Sequence, residues 1–440
     1  MMTKFQLSFQ EALEKLKNDK NNTVAYFFQE KNNKKGVLAN KFFSIKSNFA
    51  TTEGVSHASS ISLLNFKPSY NATVFQKLIN AGAQPLVKVH NDELGLGGKG
   101  LFSAFGKIVN SLDKTKLIGG SSSGSAATIN FVHFAIGSDT GDSIRRPASF
   151  IGKVGFKPSY GAVSRYGLFP YATSLDTVAW LTHNVLDSIL VSQVVFGSDE
   201  NDLTSVEIDV KNVEKTKPKK VAFLDFDAEI EDYVVKKLYK LRNILKSDQV
   251  EIEIIKPDLN LLKTILPVYE IISYSEATSN LSAINGITFG NTEKNLKWEE
   301  IFIRTRSDGF GLMLQKRLIW GSFFLEKDNQ EHFFIKAKKT RTLIKNYYES
   351  ILNKFDLVVF PAFYGIAPDI QGENSEKSDK ITNFILAISN LVGNPSISLP
   401  LGSYKNLPFN LAVDSKINSD AELLGFSLYL EEKISEINNE

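Results

Sequence analysis

The chain has 440 residues, 42% of them hydrophobic, 11% aromatic and 23% charged, a composition that excludes disorder as the default and supplies material for one or more large cores. Its 51 basic and 49 acidic residues leave a formal charge of +2, so no global field draws it to nucleic acid, and any RNA contact has to come from a local patch or a partner. The absence of cysteine removes a disulfide framework, a thiol nucleophile and thiolate zinc sites. The histidines His57, His90, His133, His183 and His332 never stand at the i, i+4 spacing that puts two imidazoles on one helical face for a metal.

The opening MMTKFQLSFQEALEKLKND mixes apolar and charged residues without an apolar core segment, so neither a signal peptide nor a membrane span is expected and the expected location is cytoplasmic. Phe9, Leu13 and Leu16 predict a short amphipathic helix, followed by an Asn- and Lys-rich surface stretch as far as Lys35 that only VAYFF interrupts. Phe42–Lys46 reads as a buried strand ending in a lysine, which on spacing alone is a snorkelling or edge residue. Val74, Phe75, Leu78 and Ile79 mark a helix and Gln84–His90 a strand, the beginning of a layered β/α sheet. The following GLGGKG, Gly95–Gly100, fits G-x-G-x-x-G, but it starts several residues beyond the strand and no convincing helix follows.

Beyond the central stretch, VGFKPSYGAVSRYGLFPYATSLDTVAWLTHN predicts turns and short strands, Asn184–Gly197 a buried helix, and Ser198–Lys217 a polar linker. KKVAFLDF and VEIEIIKP read as strands on either side of a helix whose face carries Val234, Leu238, Leu241 and Leu245. Leu261 to Phe355 reads as mostly helical, and its last stripe, Ile344, Tyr347, Tyr348, Ile351, Leu352 and Phe355, as core. DLVVFPAF and PSISLPLG return to strand and Asp420–Ile437 closes as a helix; no repeat of the solenoid kind is evident.

The stretch from Gly119 to Arg145, GGSSSGSAATINFVHFAIGSDTGDSIR, places two hydroxyl- and glycine-rich turns on either side of one short helix and strand. Glycine lets backbone amides approach a reacting atom, and serine is a nucleophile once a base takes its proton, so the layout is that of acyl transfer. Gly120-Ser121-Ser122-Ser123-Gly124 also fits the G-x-S-x-G elbow, with Ser122 as nucleophile and His183 or His332 as base, although only KTKLIGG precedes it where a clear strand is needed. Read as a simple helix cap, SSSGS leaves TGDSIR unexplained.

The two turns, with FFSIKSNFATTEG upstream, resemble the amidase signature family. SEATSNLSAING, Ser275–Gly286, and KKTRTLIKNYYESILNKFDLVVFPAF, Lys338–Phe363, are similar to the branch formed by the A subunits of glutamyl-tRNA(Gln) and aspartyl-tRNA(Asn) amidotransferases. The resemblance runs from about Lys35 to about Leu430. It implies one α/β/α domain over residues 1–440, with a signature core at about 41–205 and a helix-rich second half at about 217–440. A mixed central sheet would carry helices on both faces, with the site at the sheet edge.

The resemblance also implies roles. Ser143 is the acylating serine, Ser121 the middle serine that follows a cis peptide and relays a proton, and Lys46 the base, which must be neutral to accept it. Backbone N–H groups of Thr140, Gly141 and Asp142, with that of Ser143, form the oxyanion hole. Lys46 and Ser121 are 75 positions apart, the family's usual spacing, while the 22 between Ser121 and Ser143 are slightly fewer than usual, a shortening that falls in TINFVHFAI. HNDELGLGG resembles a loop near the site that does no phosphate chemistry. Arg317, in RSDGFGLMLQKRLIWGSF, falls on the arginine that holds the substrate carboxylate.

Two positions depart from the pattern. Asp142 stands where a second glycine is usual and brings a negative charge beside the developing oxyanion; Asn383 stands where an aspartate usually meets the substrate ammonium, so charge assistance is lost there. The implied function is release of ammonia from glutamine. ATP and Mg2+ would act at a partner B subunit that also binds the misacylated tRNA, with a small C subunit completing the complex and no cofactor or metal in this chain. A free-standing amidase acting on another small amide and a catalytically weakened scaffold are the alternatives.

Overall fold

The computed structural model describes residues 5, 7–30, 35–291, 296–371 and 380–439. Residues 31–34 of the Asn- and Lys-rich stretch lie outside them. The opening helix spans Phe9–Lys17, where Ser8 and Glu11 form a reciprocal capping box that satisfies backbone N–H groups at its start. Its Ala12 and Leu16 are buried in a cluster with Phe42, Leu86 and Val87.

The described residues form eleven strands: β1 Val24–Phe27, β2 Phe42–Lys46, β3 Gln84–Val89, β4 Phe134–Asp139, β5 Val154–Lys157, β6 Thr177–Thr182, β7 Lys220–Leu224, β8 Glu251–Ile255, β9 Leu357–Pro361, β10 Ser396–Tyr404 and β11 Leu407–Asp414. They make one mixed sheet in the order β1-β3-β2-β4-β6-β5-β10-β11-β9-β7-β8. β2 pairs in parallel with β3 and β4, and the helices Thr73–Asn80 and Ser123–Thr128 lie in the two connections. At the other end β7 pairs in parallel with β8 and β9. The antiparallel hairpin β10–β11 joins the halves, β10 against β5 and β11 against β9. The polar stretch 198–217 contains no helix or strand and leads from one half of the sheet to the other.

β2 is buried along its whole length because both faces are covered. Phe43 and Ile45 belong to the larger core, where Phe43 stacks on Phe134 at 5.3 Å between centroids. On the other face, Ser44 shares a hydrogen bond of 2.7 Å with Thr128 of the Ser123–Thr128 helix. In the second half the helix Ile265–Asn280 packs on Leu312–Leu325 and on Lys336–Leu352. Ile344, Tyr348, Ile351 and Leu352 are buried there, which makes the aromatic stripe core.

The structure adds two strands to those expected from the sequence and moves the site. VAYF is the edge strand β1, antiparallel to β3. β11, LPFNLAVD, escaped notice because its hairpin turns through Lys405 and Asn406, both at positive φ (50° and 63°), and not through an Asn-Gly or Asp-Gly pair. The expected position at the sheet edge is corrected: Lys46 ends β2 and Asp139 ends β4, neighbouring parallel strands inside the sheet. Parallel strands bring their carboxyl ends to the same side, where connecting loops leave a cleft. None of the helices among the described residues is long and apolar enough to cross a membrane.

Candidate active site

Lys46 is fully buried at the end of β2. Its Nζ donates to Ser121 Oγ at 2.7 Å and to Ser138 Oγ at 2.8 Å. Ser138 Oγ also accepts from Asn48 Nδ2 at 3.3 Å. Burial removes solvation from the ammonium and pulls the Lys46 pKa down to about 7, while Asp92, Asp176 and Asp139 work the other way. An amine with that pKa is substantially neutral near pH 7, the form a base requires.

Ser121 follows Gly120 through a cis peptide bond. The turn that carries it closes over Asp92, whose carboxylate accepts backbone N–H groups from Gly98 (2.7 Å), Lys99 (3.2 Å), Gly100 (3.2 Å) and Phe102 (2.9 Å). A Cβ on Gly120 would stand 2.1 Å from Asp92 Oδ2, so only glycine lets the chain pass there. The GLGGKG loop is therefore a cradle of backbone N–H groups that already holds the protein's own Asp92 carboxylate. The neighbouring Glu93 accepts from Gly311 N at 2.8 Å, at the start of the helix Leu312–Leu325 that carries Arg317.

The second turn is fixed by charge. Arg145 is fully buried, with Nη2 2.9 Å from Asp139 Oδ1 and further bonds to Gly141 O, Leu386 O, Ser389, Asn390 and Ser396. Burial opposes the Asp139 charge, but Arg145 overcomes it and keeps the carboxyl below its usual range. Thr140 Oγ1 donates to Asp176 at 2.7 Å. The two turns meet where Ser122 N donates to Ser143 O at 3.2 Å. The N–H groups of Gly141, Asp142 and Ser143 make no hydrogen bond to another described residue, the condition for donors that receive an oxyanion. Ser143 is 7% exposed, and its Oγ likewise bonds no described residue; contacts of this kind commonly tighten only when substrate is bound.

Arg317 approaches from the second half, near enough for its charge to act on Asp142. Its guanidinium lies 5.1 Å over the Tyr274 ring, with Nη2 3.5 Å from Gly97 O. Burial works against its charge, and Tyr171, Tyr274, Tyr269 and Glu270 more than offset this. Tyr269 packs on Gly141 so closely that a Cβ there would be 2.9 Å from the ring. The wall beyond Arg317 opens into a cavity of about 900 Å³ lined by Glu93, Tyr274, Trp320, Phe324 and Phe333 among others.

Asp142 and Asn383, the two departures, are joined by a residue that the sequence alone did not single out. The Arg146 guanidinium pairs with the Asp142 carboxylate and donates to Asn383 O. Burial raises the Asp142 pKa, opposed by Arg146, Arg145 and Arg317. Ser138, Arg145 and Arg146 were the residues missed. The last carried a legible signal, since Asp142 and Arg146 stand at i, i+4 where a helix begins.

The elbow arrangement is overturned. Ser122 is fully buried with Oγ donating to Ser138 O at 3.0 Å. His183 Nε2 donates to Val132 O at 2.9 Å, and His332 is exposed in a π-helical turn, Glu331–Ile335. No group of three or more His, Asp or Glu side chains placed to hold a metal occurs among the described residues.

Comparison with known proteins points to the same family. The A subunit of the glutamyl-tRNA(Gln) amidotransferase from Sulfurisphaera tokodaii is 36% identical over 411 residues, covering 92% of this chain and 86% of that protein. Its namesake from Mycoplasma pneumoniae is 36% identical, covering 91% and 87%. The crystal structure of the corresponding Thermotoga maritima protein superposes with a TM-score of 0.78 at 27% identity, covering 97% of this chain and 94% of that one. At 17% identity and a TM-score of 0.82, over 97% of this chain and 94% of the other, 6-aminohexanoate cyclic dimer hydrolase shares the fold. The amidase family model matches residues 4–424, and the chain belongs to that family.

Proposed function

We propose that the chain is the glutamine-hydrolysing A subunit of a tRNA-dependent amidotransferase. The observation that carries this reading is the buried Lys46–Ser121 pair set beside the turn of Ser143 and its unengaged N–H groups; the likeness to amidotransferase A subunits supplies the substrate. Ser143 Oγ attacks the carboxamide carbon of glutamine. Its proton passes to Ser121 Oγ, and the proton of Ser121 passes to neutral Lys46. The oxyanion is received by the N–H groups of residues 140–143. The proton then returns through Ser121 to the leaving nitrogen, ammonia departs, and water releases glutamate from Ser143 by the reverse relay. Arg317 holds the α-carboxylate and Asn383 faces the α-ammonium.

Ammonia alone cannot amidate a carboxylate, which needs activation by phosphorylation. That step, with ATP and Mg2+ and binding of the misacylated tRNA, is assigned to a B subunit, with a small C subunit bridging the two. A partner covering the mouth of the Ser143 site would carry ammonia onward without loss to bulk water. Glutamine hydrolysis by the isolated chain should be weak and rise sharply when both partners and misacylated tRNA are added, and an acylating glutamine analogue should label Ser143. Full activity of the isolated chain, indifferent to partners and tRNA, would instead identify a free-standing amidase.

A further inference from the structure

The Asp142–Arg146 pair sits beside the nucleophile. Asp142 precedes Ser143 in the turn whose N–H groups are unengaged, and its charge is felt by Tyr269, which packs on Gly141. An ionised carboxylate here opposes the negative charge that develops on the substrate oxygen, and in a water-poor site that opposition is stronger than in solvent. Arg146 stands one helical turn on, pairs with the carboxylate, and anchors it to Asn383 O in the turn Ile381–Asn383 that precedes the helix Ile388–Val392. The Arg146 guanidinium carbon also lies over the Phe363 ring, 5.8 Å from its centroid. With the two side chains 19% and 17% exposed, this is no solvated surface pair of negligible weight.

We propose that Arg146 is a positioning residue of the hydrolytic site, neutralising Asp142 so that the 141–143 turn can accept an oxyanion, and tying that turn to the Asn383 segment. Asp142 and Arg146 then act as one unit, a local substitute for the glycine usual at the first position. The inference rests on the reading of Ser143 as nucleophile.

The test is a double-mutant cycle on the full chain with Arg146→Gln, Asp142→Asn and the two combined, plus Arg146→Lys in both backgrounds. It follows kcat and KM for glutamine and for p-nitrophenyl butyrate, an uncharged ester that forms the same oxyanion, alongside thermal melting. Arg146→Gln should lower kcat about tenfold or more on both substrates with a smaller change in KM, and adding Asp142→Asn should restore most of the loss. Arg146→Lys should lose less and lose nothing further once Asp142 is Asn, which keeps the question open to decision if Arg146→Gln does not fold. Losses that simply add, or a loss confined to KM for glutamine, would overturn the proposal. Wild-type turnover of the ester through Ser143 without turnover of glutamine, even when both partners and misacylated tRNA are added, would sink the glutaminase reading and leave this cycle to be decided on the ester. Failure of the wild type to acylate Ser143 with either substrate would overturn both.

Discussion

Lys46, Ser121 and the 141–143 turn hang from the ends of β2 and β4 and the Gly120 turn, buried and tied by hydrogen bonds to backbone and to Asp92 and Arg145. Arg317 and Asn383 reach the same space from a helix and a turn of the second half, and the wall around Arg317 is aromatic and partly open, with Trp320 55% exposed. The first region is buried and already joins Lys46 to Ser121 in the absence of a ligand, leaving only the Ser143 Oγ contact to be made. The second is the wall proposed above to recognise the substrate, where Arg317 is held by the Tyr274 ring face and a long 3.5 Å hydrogen bond to Gly97 O. On the proposed reading, chemistry common to any amide is separated from the choice of amide, and substitutions in the two regions should have different kinetic signatures.

The sharpest break in that contrast comes from the reaction centre. Ser143→Ala, Ser121→Ala and Lys46→Ala should each lower turnover on the order of 10³-fold or more with melting temperatures close to wild type, and double variants should lose no more than singles, since the three act as one proton-transfer unit. Activity retained by Ser143→Ala and lost by Ser122→Ala would contradict the geometry. The same centre predicts the pH profile. Burial places the Lys46 pKa at about 7, so the neutral base is present above that pH and is lost as pH falls through it, and kcat should drop roughly tenfold per unit in the acid limb. A profile flat down to pH 5 would remove Lys46 as the base.

In the recognition wall the effects should be smaller and fall on binding. Arg317→Ala should raise KM for glutamine about 10- to 100-fold with a lesser change in kcat, the signature of a uniform contact to a carboxylate. An equal fall in kcat would place Arg317 in the reaction centre. Smallest of all, Asn383→Asp should tighten glutamine by about 1 kcal/mol, because an ionised acceptor bonds an ammonium more strongly than an amide oxygen does. Unchanged affinity in a calorimetric titration would mean that the ammonium is met elsewhere.

Much of this was readable in the chain because the signals are local. The runs FFSIK and VAFL, the apolar stripe ending at Phe355 and the turns GGSSSG and TGDSIR each encode one element or one backbone conformation within a few residues, and all appear where expected. The glycines of GLGG were legible as a turn but not in purpose, since the anion they enclose is Asp92, which nothing in the pattern distinguishes from a surface aspartate.

By itself, then, the sequence determined most of the strands, the helices and the two serine-bearing turns, because periodicity and turn chemistry depend on near neighbours along the chain. Tertiary structure alone decided the rest. The joining of the halves through β10–β11 brings Arg145 to Ser389, Asn390 and Ser396, about 250 residues away, and burial turns Lys46 from an ordinary cation into an amine that can act as a base. The meeting of Asp142, Arg146 and Asn383 likewise depends on packing across the sheet, which sets distances and dielectric that no local pattern contains.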